Sequence, residues 1–242
     1  MTKCDSRCKI ATMLNRNTAS ERVSVMKRNT KYEILQCATK LFIEKGYTAT
    51  YVTSIANELN ISTGNLTFHF PTKEHILAEL IKELLTLPRR EEESAVEGEH
   101  ALLTGYLLEL VMFASVCQDN LNIKDLIVSA YTHSLSLQII RETDTKRARQ
   151  VFGTYCPEWG EIEFIQAENI VSGMEYALFM TENTERLSFE QRVFVSLDAI
   201  MKVYEIPKGI RESVITQIAD LDYRGMGNRV LDEFCNYIAE KM

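Results

Sequence analysis

Seven consecutive residues, Thr63-Gly64-Asn65-Leu66-Thr67-Phe68-His69, gather side chains able to read the edge of a base pair. An asparagine amide can pair bidentately with adenine, and a threonine can hydrogen-bond a base or touch a thymine methyl. A phenylalanine ring can pack on an apolar base or sugar surface. Leu66 and Phe70, four apart, share the inward side of a helix in this register, which leaves Thr63, Asn65, Thr67, Phe68 and His69 around the outward arc. Gly64 lets the backbone approach a duplex closely. The hydroxyls of Thr50 and Ser62, the amides at helix starts and the Lys73 ammonium suit phosphate oxygens, which set register rather than sequence.

The flanking residues supply elements able to hold such a helix. Over Lys27 to Lys45, the residues Ile34, Leu35, Ala38, Leu41 and Phe42 fall on one helical stripe, and Gly46 stops it as a C′ glycine does. Thr50 is placed to cap a second helix with Val52, Ile55, Ala56 and Leu59 inward. Asn60 tolerates a left-handed turn. Ile61 plugs the corner and Ser62 caps a third helix over Thr63 to Phe70. Pro71 closes it, Thr72 caps a fourth, and Lys73 to Leu87 continues with Ile76, Leu77, Leu80, Ile81 and Leu84 inward. The arrangement is helix, tight turn, helix, in which the second member of the pair enters the major groove.

Charge is distributed to match. Through His75 there are 11 Lys and Arg against 6 Asp and Glu, a net +5, so the remainder holds −12 of the overall −7. A basic front end that meets a polyanion precedes an acidic body that does not. The 242 residues, with 45% hydrophobic and 25% charged, suffice for a buried core and are too apolar for general disorder. Few breakers and many helix formers indicate an all-α chain. The six cysteines, Cys4, Cys8, Cys37, Cys117, Cys156 and Cys235, include no C-x-x-C pair and read as reduced thiols. Residues 1–25 lack a sustained apolar stretch and read as a flexible basic leader rather than a secretory signal.

The spacing Ala38-x-x-Leu41-Phe42-x-x-x-Gly46-Tyr47, then Thr50-x-Val52-x-x-Ile55-Ala56, then Ile61-Ser62-x-Gly64-x-Leu66-x-x-x-Phe70-x-x-Lys73-Glu74 resembles the DNA-binding domain of tetracycline-repressor (TetR) type regulators. The resemblance covers about fifty residues. It implies a dimeric, all-helical transcription factor, usually a repressor, whose carboxy-terminal domain binds a small molecule that releases DNA. By this likeness Thr50, Thr53, Ser62, Thr63, Asn65, Thr67, Phe68, His69 and Lys73 fall at DNA-facing positions. The chain departs from the family at Thr67, where tyrosine is usual, and at Asn60, which replaces the turn glycine.

The organisation expected is therefore a leader (1–25), a helix-turn-helix domain with its linking fourth helix (26–87), and a larger helical-bundle domain for ligand binding and dimerisation (88–242). Pro88 and the run Arg89-Arg90-Glu91-Glu92-Glu93 mark the boundary. Helices in the body are expected near Glu99–Gln118, Asn122–Ser134, Leu135–Phe152, Gly160–Thr181, Ser188–Tyr204, Pro207–Asp222 and Gly227–Lys241, with Gly225-Met226-Gly227 as punctuation. Ala101 to Cys117 is apolar enough to raise a membrane span, but Glu109 mid-run favours a buried helix. The candidate lining of an effector cavity is Tyr106, Glu109, Met112, Phe113, Tyr131, His133 and Trp159, with ordinary core packing as the competing reading and Glu109 able to complement a cation.

The partners expected are double-stranded DNA, a second copy of the chain and a small-molecule effector, in the cytoplasm, with no membrane, metal or cofactor. Two alternatives are an effector-independent DNA-binding regulator and a helical di-metal carboxylate enzyme. The latter needs two Glu-x-x-His pairs. Glu97-x-x-His100 is one, and the sequence contains no second.

Overall fold

The computed structural model describes residues 30–86, 96–183 and 185–240. Among them are eleven α-helices and no strand. The leader, the two cysteines within it and the Pro88 to Glu93 boundary lie outside the described residues.

The periodicity of the front end becomes a small core. Ile34, Leu35, Ala38, Leu41 and Phe42 of α1 (Thr30–Lys45) are buried together with Ile55 and Ala56 of α2 (Val52–Glu58), Leu66 of α3 (Thr63–His69) and Ile76, Leu77, Leu80 and Ile81 of α4 (Lys73–Thr86). Gly46 ends α1 with φ +90, a conformation that costs a glycine no Cβ clash.

The acidic remainder forms a bundle around α5 (Ala101–Asp119), 13 of whose 19 residues are buried. It is packed against α6 (Leu121–Thr132), α7 (Ser134–Phe152), α8 (Glu161–Met180), α9 (Phe189–Val203), α10 (Lys208–Ala219) and α11 (Tyr223–Glu240). Among the described residues α5 is the one helix long and apolar enough to cross a bilayer, and here it is the centre of a protein core. The four described cysteines are free and buried.

The last helix departs from expectation. Gly225-Met226-Gly227 is not a break but the first turn of α11. A Cβ on Gly227 would stand 2.9 Å from the Met112 carbonyl oxygen and 3.0 Å from a Val116 methyl, so this glycine permits close contact between α11 and α5. Asp222 supplies the start signal, its carboxylate accepting from the Gly225 amide at 3.0 Å.

Two cores result, but they share helices. Leu126 and Ala130 of α6, Ile140 of α7 and Phe234 and Ile238 of α11 pack into the front-end core. Gln36 on α1 donates to the Ile238 and Ala239 carbonyls at 2.9 and 3.2 Å.

Candidate nucleic-acid interface

The turn between α2 and α3 is built from backbone rules. Leu59 is the last residue in right-handed conformation, and Asn60 follows at φ +55. The Ile61 amide then reaches the Ala56 carbonyl (3.0 Å) and the Asn60 amide reaches that of Asn57 (3.1 Å). This pair of bonds closes a Schellman motif and satisfies carbonyls that a helix end leaves unpaired. Ser62 begins α3, its Oγ accepting from the Asn65 amide at 3.1 Å.

The outward arc of α3 is arranged as its spacing requires. Leu66 is fully buried, whereas Thr63, Asn65 and Phe68 are exposed and Thr67 and His69 half-buried. Phe68 is 83% exposed, its ring edge-on to His69 at 5.3 Å. A phenylalanine so placed loses several kcal/mol of possible burial, roughly 1.5–3 kcal/mol, unless a partner covers it. Thr53 on α2 is exposed nearby in sequence, as is Tyr51, the N-cap of α2, which sequence reasoning passed over. No Lys or Arg occurs between Thr50 and His69.

Two residues assigned to phosphate serve the fold instead. Thr50 is 1% exposed, and its hydroxyl donates to the Gly46 and Leu41 carbonyls at 2.7 and 3.3 Å. It does not cap α2, a position held by Tyr51 without a side-chain bond. The reason is the α1 end: Gly46 turns the chain so that its carbonyl needs a buried donor, and Thr50 is the residue in reach. Lys73 donates to the Tyr47 and Thr50 carbonyls at 2.8 and 2.9 Å and lies over the Tyr47 ring at 4.1 Å. It staples the α1–α2 loop to α4, and burial holds its pKa below the ordinary lysine value.

The same loop is gripped from the bundle. Asp125 on α6 accepts from the Thr48 amide (2.7 Å) and hydroxyl (2.6 Å), while Asn122 donates to the Ile43 and Glu44 carbonyls at 3.0 and 2.7 Å. His133, expected at a ligand cavity, instead ends α6 against this loop, edge-on to Tyr47 and 3.3 Å from Glu74.

The cavity itself lies on the other side of α6. It has a volume of about 60 Å³, and Tyr106, Glu109, Phe113 and Tyr131 line it, as do Ile127 and Ala130 of α6. Met112 is packed in the main core, and Trp159 stands edge-on to Phe164 and tilted against Tyr204, so neither they nor His133 reach it. Trp159 lies in the connection between α7 and α8, outside any helix, and Met112 is turned into the main core, information that spacing within one helix does not contain.

Around the cavity sit charged groups that sequence reasoning missed. Arg147 pairs with Glu109 at 2.6 Å and Asp144 at 3.4 Å. Glu175 accepts from Tyr131 at 3.0 Å, and behind it Glu168 accepts a close hydrogen bond from Tyr204. Burial pushes the Glu168 carboxyl up to about 7 and raises that of Glu175 well above the usual carboxylate range. A signal existed: Phe164, Glu168, Val171, Glu175 and Leu178 form one inward stripe of α8 with two glutamates in it.

His100, from the single Glu-x-x-His pair, shares a hydrogen bond of 2.8 Å with the Tyr155 hydroxyl. No group of three or more His, Cys, Asp or Glu among the described residues is placed to hold a metal ion.

Comparison with known proteins was informative for the front end. Residues 34–80 match the family model described as bacterial regulatory proteins, tetR family. The HTH-type transcriptional regulator HbdR of Aromatoleum sp. strain CIB is 37% identical over 68 residues, 28% of this chain and 30% of its own length. The HTH-type transcriptional regulator QacR of Staphylococcus aureus strain Mu50 is 43% identical over 53 residues, 22% of this chain and 28% of its own. The match thus spans less than a third of either relative. Among solved structures, Salmonella enterica GusR aligns over 80% of this chain and 96% of its own at 15% identity, with a TM-score of 0.43. Over residues 34–80, and over those residues alone, the chain is similar to the helix-turn-helix DNA-binding part of bacterial regulatory proteins of the tetR family.

Proposed function

We propose that the chain is a homodimeric repressor that holds a palindromic operator through two copies of α3 and lets it go when a small molecule enters the cavity beside α6. Residues 26–87 act as the reading head and 88–242 as the body that pairs and senses. The observation that carries this reading is the capped, exposed arc of α3 on a fully packed helix-turn-helix. Asn65 and Thr63 read base edges, and Phe68 and His69 pack beside them. Thr53, Ser62 and the amides at the α2 and α3 starts meet phosphate. Thr67 is the weaker base contact, because its hydroxyl already donates to the Gly64 carbonyl at 3.2 Å.

Pairing is supported by an apolar face without a partner in the single chain. Ile162, Ile165, Ile170 and Met180 on α8 and Val195 on α9 are exposed, with Gly173 and Ala177 between them to allow close approach. A two-fold contact there presents two α3 helices to one face of a duplex. Release is supported by α6, which lines the cavity with Ile127, Ala130 and Tyr131 and grips the reading head with Asn122 and Asp125. A repressor acting on the chromosome of a bacterium works in the cytoplasm.

Selection of bound duplexes from random oligonucleotides tests the proposal. A two-fold symmetric site with half-sites about one helical turn apart, roughly 34–36 Å, is the expected product. Enrichment of asymmetric sequences, or of none, overturns it. If no small molecule displaces the selected site, the regulator acts without an effector.

A further inference from the structure

The reading head has almost no positive charge of its own for a polyanion. Residues 30–86 hold five Lys, no Arg and no Asp, and six Glu, a net −1. Three of those lysines are engaged within the head. Lys31 pairs with Glu79 at 2.7 Å, Lys40 pairs with Glu58 at 3.4 Å, and Lys73 donates to the Tyr47 and Thr50 carbonyls. Lys45 and Lys82 are exposed, each with a glutamate next to it in sequence, Glu44 and Glu83. Residues 87–242 hold 15 basic against 26 acidic residues, a net −11 that repels a duplex.

The positive excess therefore lies ahead of α1. Residues 1–29 carry seven Lys and Arg against two acidic residues, a net +5. Hydroxyls and amides at the starts of α2 and α3 can hydrogen-bond phosphate oxygens, but the salt-dependent part of DNA affinity comes from cationic side chains that displace condensed counterions. A head of net −1 on a body of net −11 lacks that contribution.

The start of α1 is also where such charges are useful. The Lys31 ammonium, in the first turn of α1, lies 5.6 Å from the centre of the Phe70 ring, and Phe70 is the C-cap of α3. The chain thus enters the head beside the end of the helix that reads the groove. At no more than about 3.6 Å of chain per residue, Arg28 is held within about 7 Å of Thr30 and Lys27 within about 11 Å, while Arg22 and Arg16 can reach roughly 30 and 50 Å. Half a turn of duplex is roughly 17 Å, so these lengths span the phosphates on either side of the groove.

We propose that residues 1–29 supply the phosphate-binding charge of the regulator, with Arg16, Arg22, Lys27 and Arg28 along the DNA backbone that flanks the groove entered by α3. The assignment rests on the operator reading above and adds the segment that gives it most of its affinity. These contacts follow the backbone and carry no sequence information.

The test uses the full chain, the selected operator and a scrambled duplex, with affinities read by fluorescence anisotropy from about 0.05 to 0.2 M KCl. In the variant Arg16→Gln, Arg22→Gln, Lys27→Gln, Arg28→Gln, the slope of log affinity against log salt should be shallower by at least about 2, and affinity at physiological salt should fall at least about tenfold. The fall should be the same factor on both duplexes, and the variant should melt with the wild type, because the residues changed lie outside the two packed cores. Arg16→Lys, Arg22→Lys, Arg28→Lys should keep the wild-type slope, since charge rather than shape releases counterions. Lys45→Gln, Lys82→Gln should change the slope by less than about 1. An unchanged slope in the glutamine variant, a loss confined to the operator, or a larger loss from the Lys45 and Lys82 pair overturns the proposal. A wild type that prefers no duplex, yet loses affinity for both in the glutamine variant, upholds the charged segment and sinks the reading of α3. A wild type that selects an operator with a slope independent of residues 1–29 upholds α3 and sinks the segment.

Discussion

The buried carboxyls of α8 set a pH dependence of stability opposite to that of ordinary surface carboxylates. Glu168 has its carboxyl raised from 4.5 to about 7, first by burial, then by Asp144, with Tyr204 and Arg147 pulling the other way. Glu175 is raised by burial and by Asp144 and Glu168, against Tyr131 and Arg147. Between pH 4.5 and about 7 the folded protein therefore binds more protons than the unfolded chain. The slope of unfolding free energy with pH is negative there, so this contribution is complete at low pH and is lost as pH rises through about 7. At about 1.4 kcal/mol per pH unit, Glu168 alone can supply about 3 kcal/mol at most. About 2 kcal/mol of this is lost between pH 5.5 and 8, which for a chain of this length is a fall in melting temperature of roughly 4–8 °C, and Glu175 adds in the same direction. Calorimetric melts of the wild type and of the Glu168→Gln, Glu175→Gln double variant across this range measure the effect. The double variant should show a flatter profile and should match or exceed the wild type at pH 8, because glutamine accepts the same tyrosine bonds without a charge to bury. Titrating groups elsewhere contribute equally to both proteins and cancel in the difference. A wild-type melting temperature that rises with pH, or an undiminished slope in the double variant, refutes the reasoning.

Further outcomes are expected from single substitutions. Lys73→Met orphans the Tyr47 and Thr50 carbonyls and should cost about 1–3 kcal/mol in denaturant unfolding, with the loss seen in the absence of DNA. Gly227→Leu drives a side chain into the Met112 carbonyl and should destabilise by about 1–3 kcal/mol through overpacking. Glu205 holds φ +55 at the end of α9, where the Ile206 amide meets the Met201 carbonyl; Glu205→Gly should therefore raise stability by about 1 kcal/mol, seen as a higher melting temperature. Asn65→Ala should cost roughly 1–3 kcal/mol of operator affinity, concentrated at one base pair when measured on single-substitution operators.

The front end was legible because its determinants are local. The stripe of α1, the left-handed Asn60 and the Ser62 cap each depend on residues within a turn or two of one another. Thr50 was misassigned because a hydroxyl before a helix has two uses, and only the path of Gly46 decides between them. The body yielded its helices but not its interior. Glu109, Asp144 and Glu175 come from three different helices, and their convergence depends on packing angles that no single stretch encodes. Gly227 reads as a break in isolation, and as a close contact only once α5 lies against it.

The hydrogen bonds from Gln36 to the carbonyls of Ile238 and Ala239 tie the first described helix to the final turns of the last. Tyr237 adds a second attachment, its hydroxyl donating to Glu83 at 3.0 Å. The first described helix and the last described turns therefore hold one another in the front-end core, so a label placed on the exposed residues of late α11 would strain the packing of α1. Labelling schemes that need an undisturbed operator complex are better anchored on an exposed side chain of α10, such as Glu212.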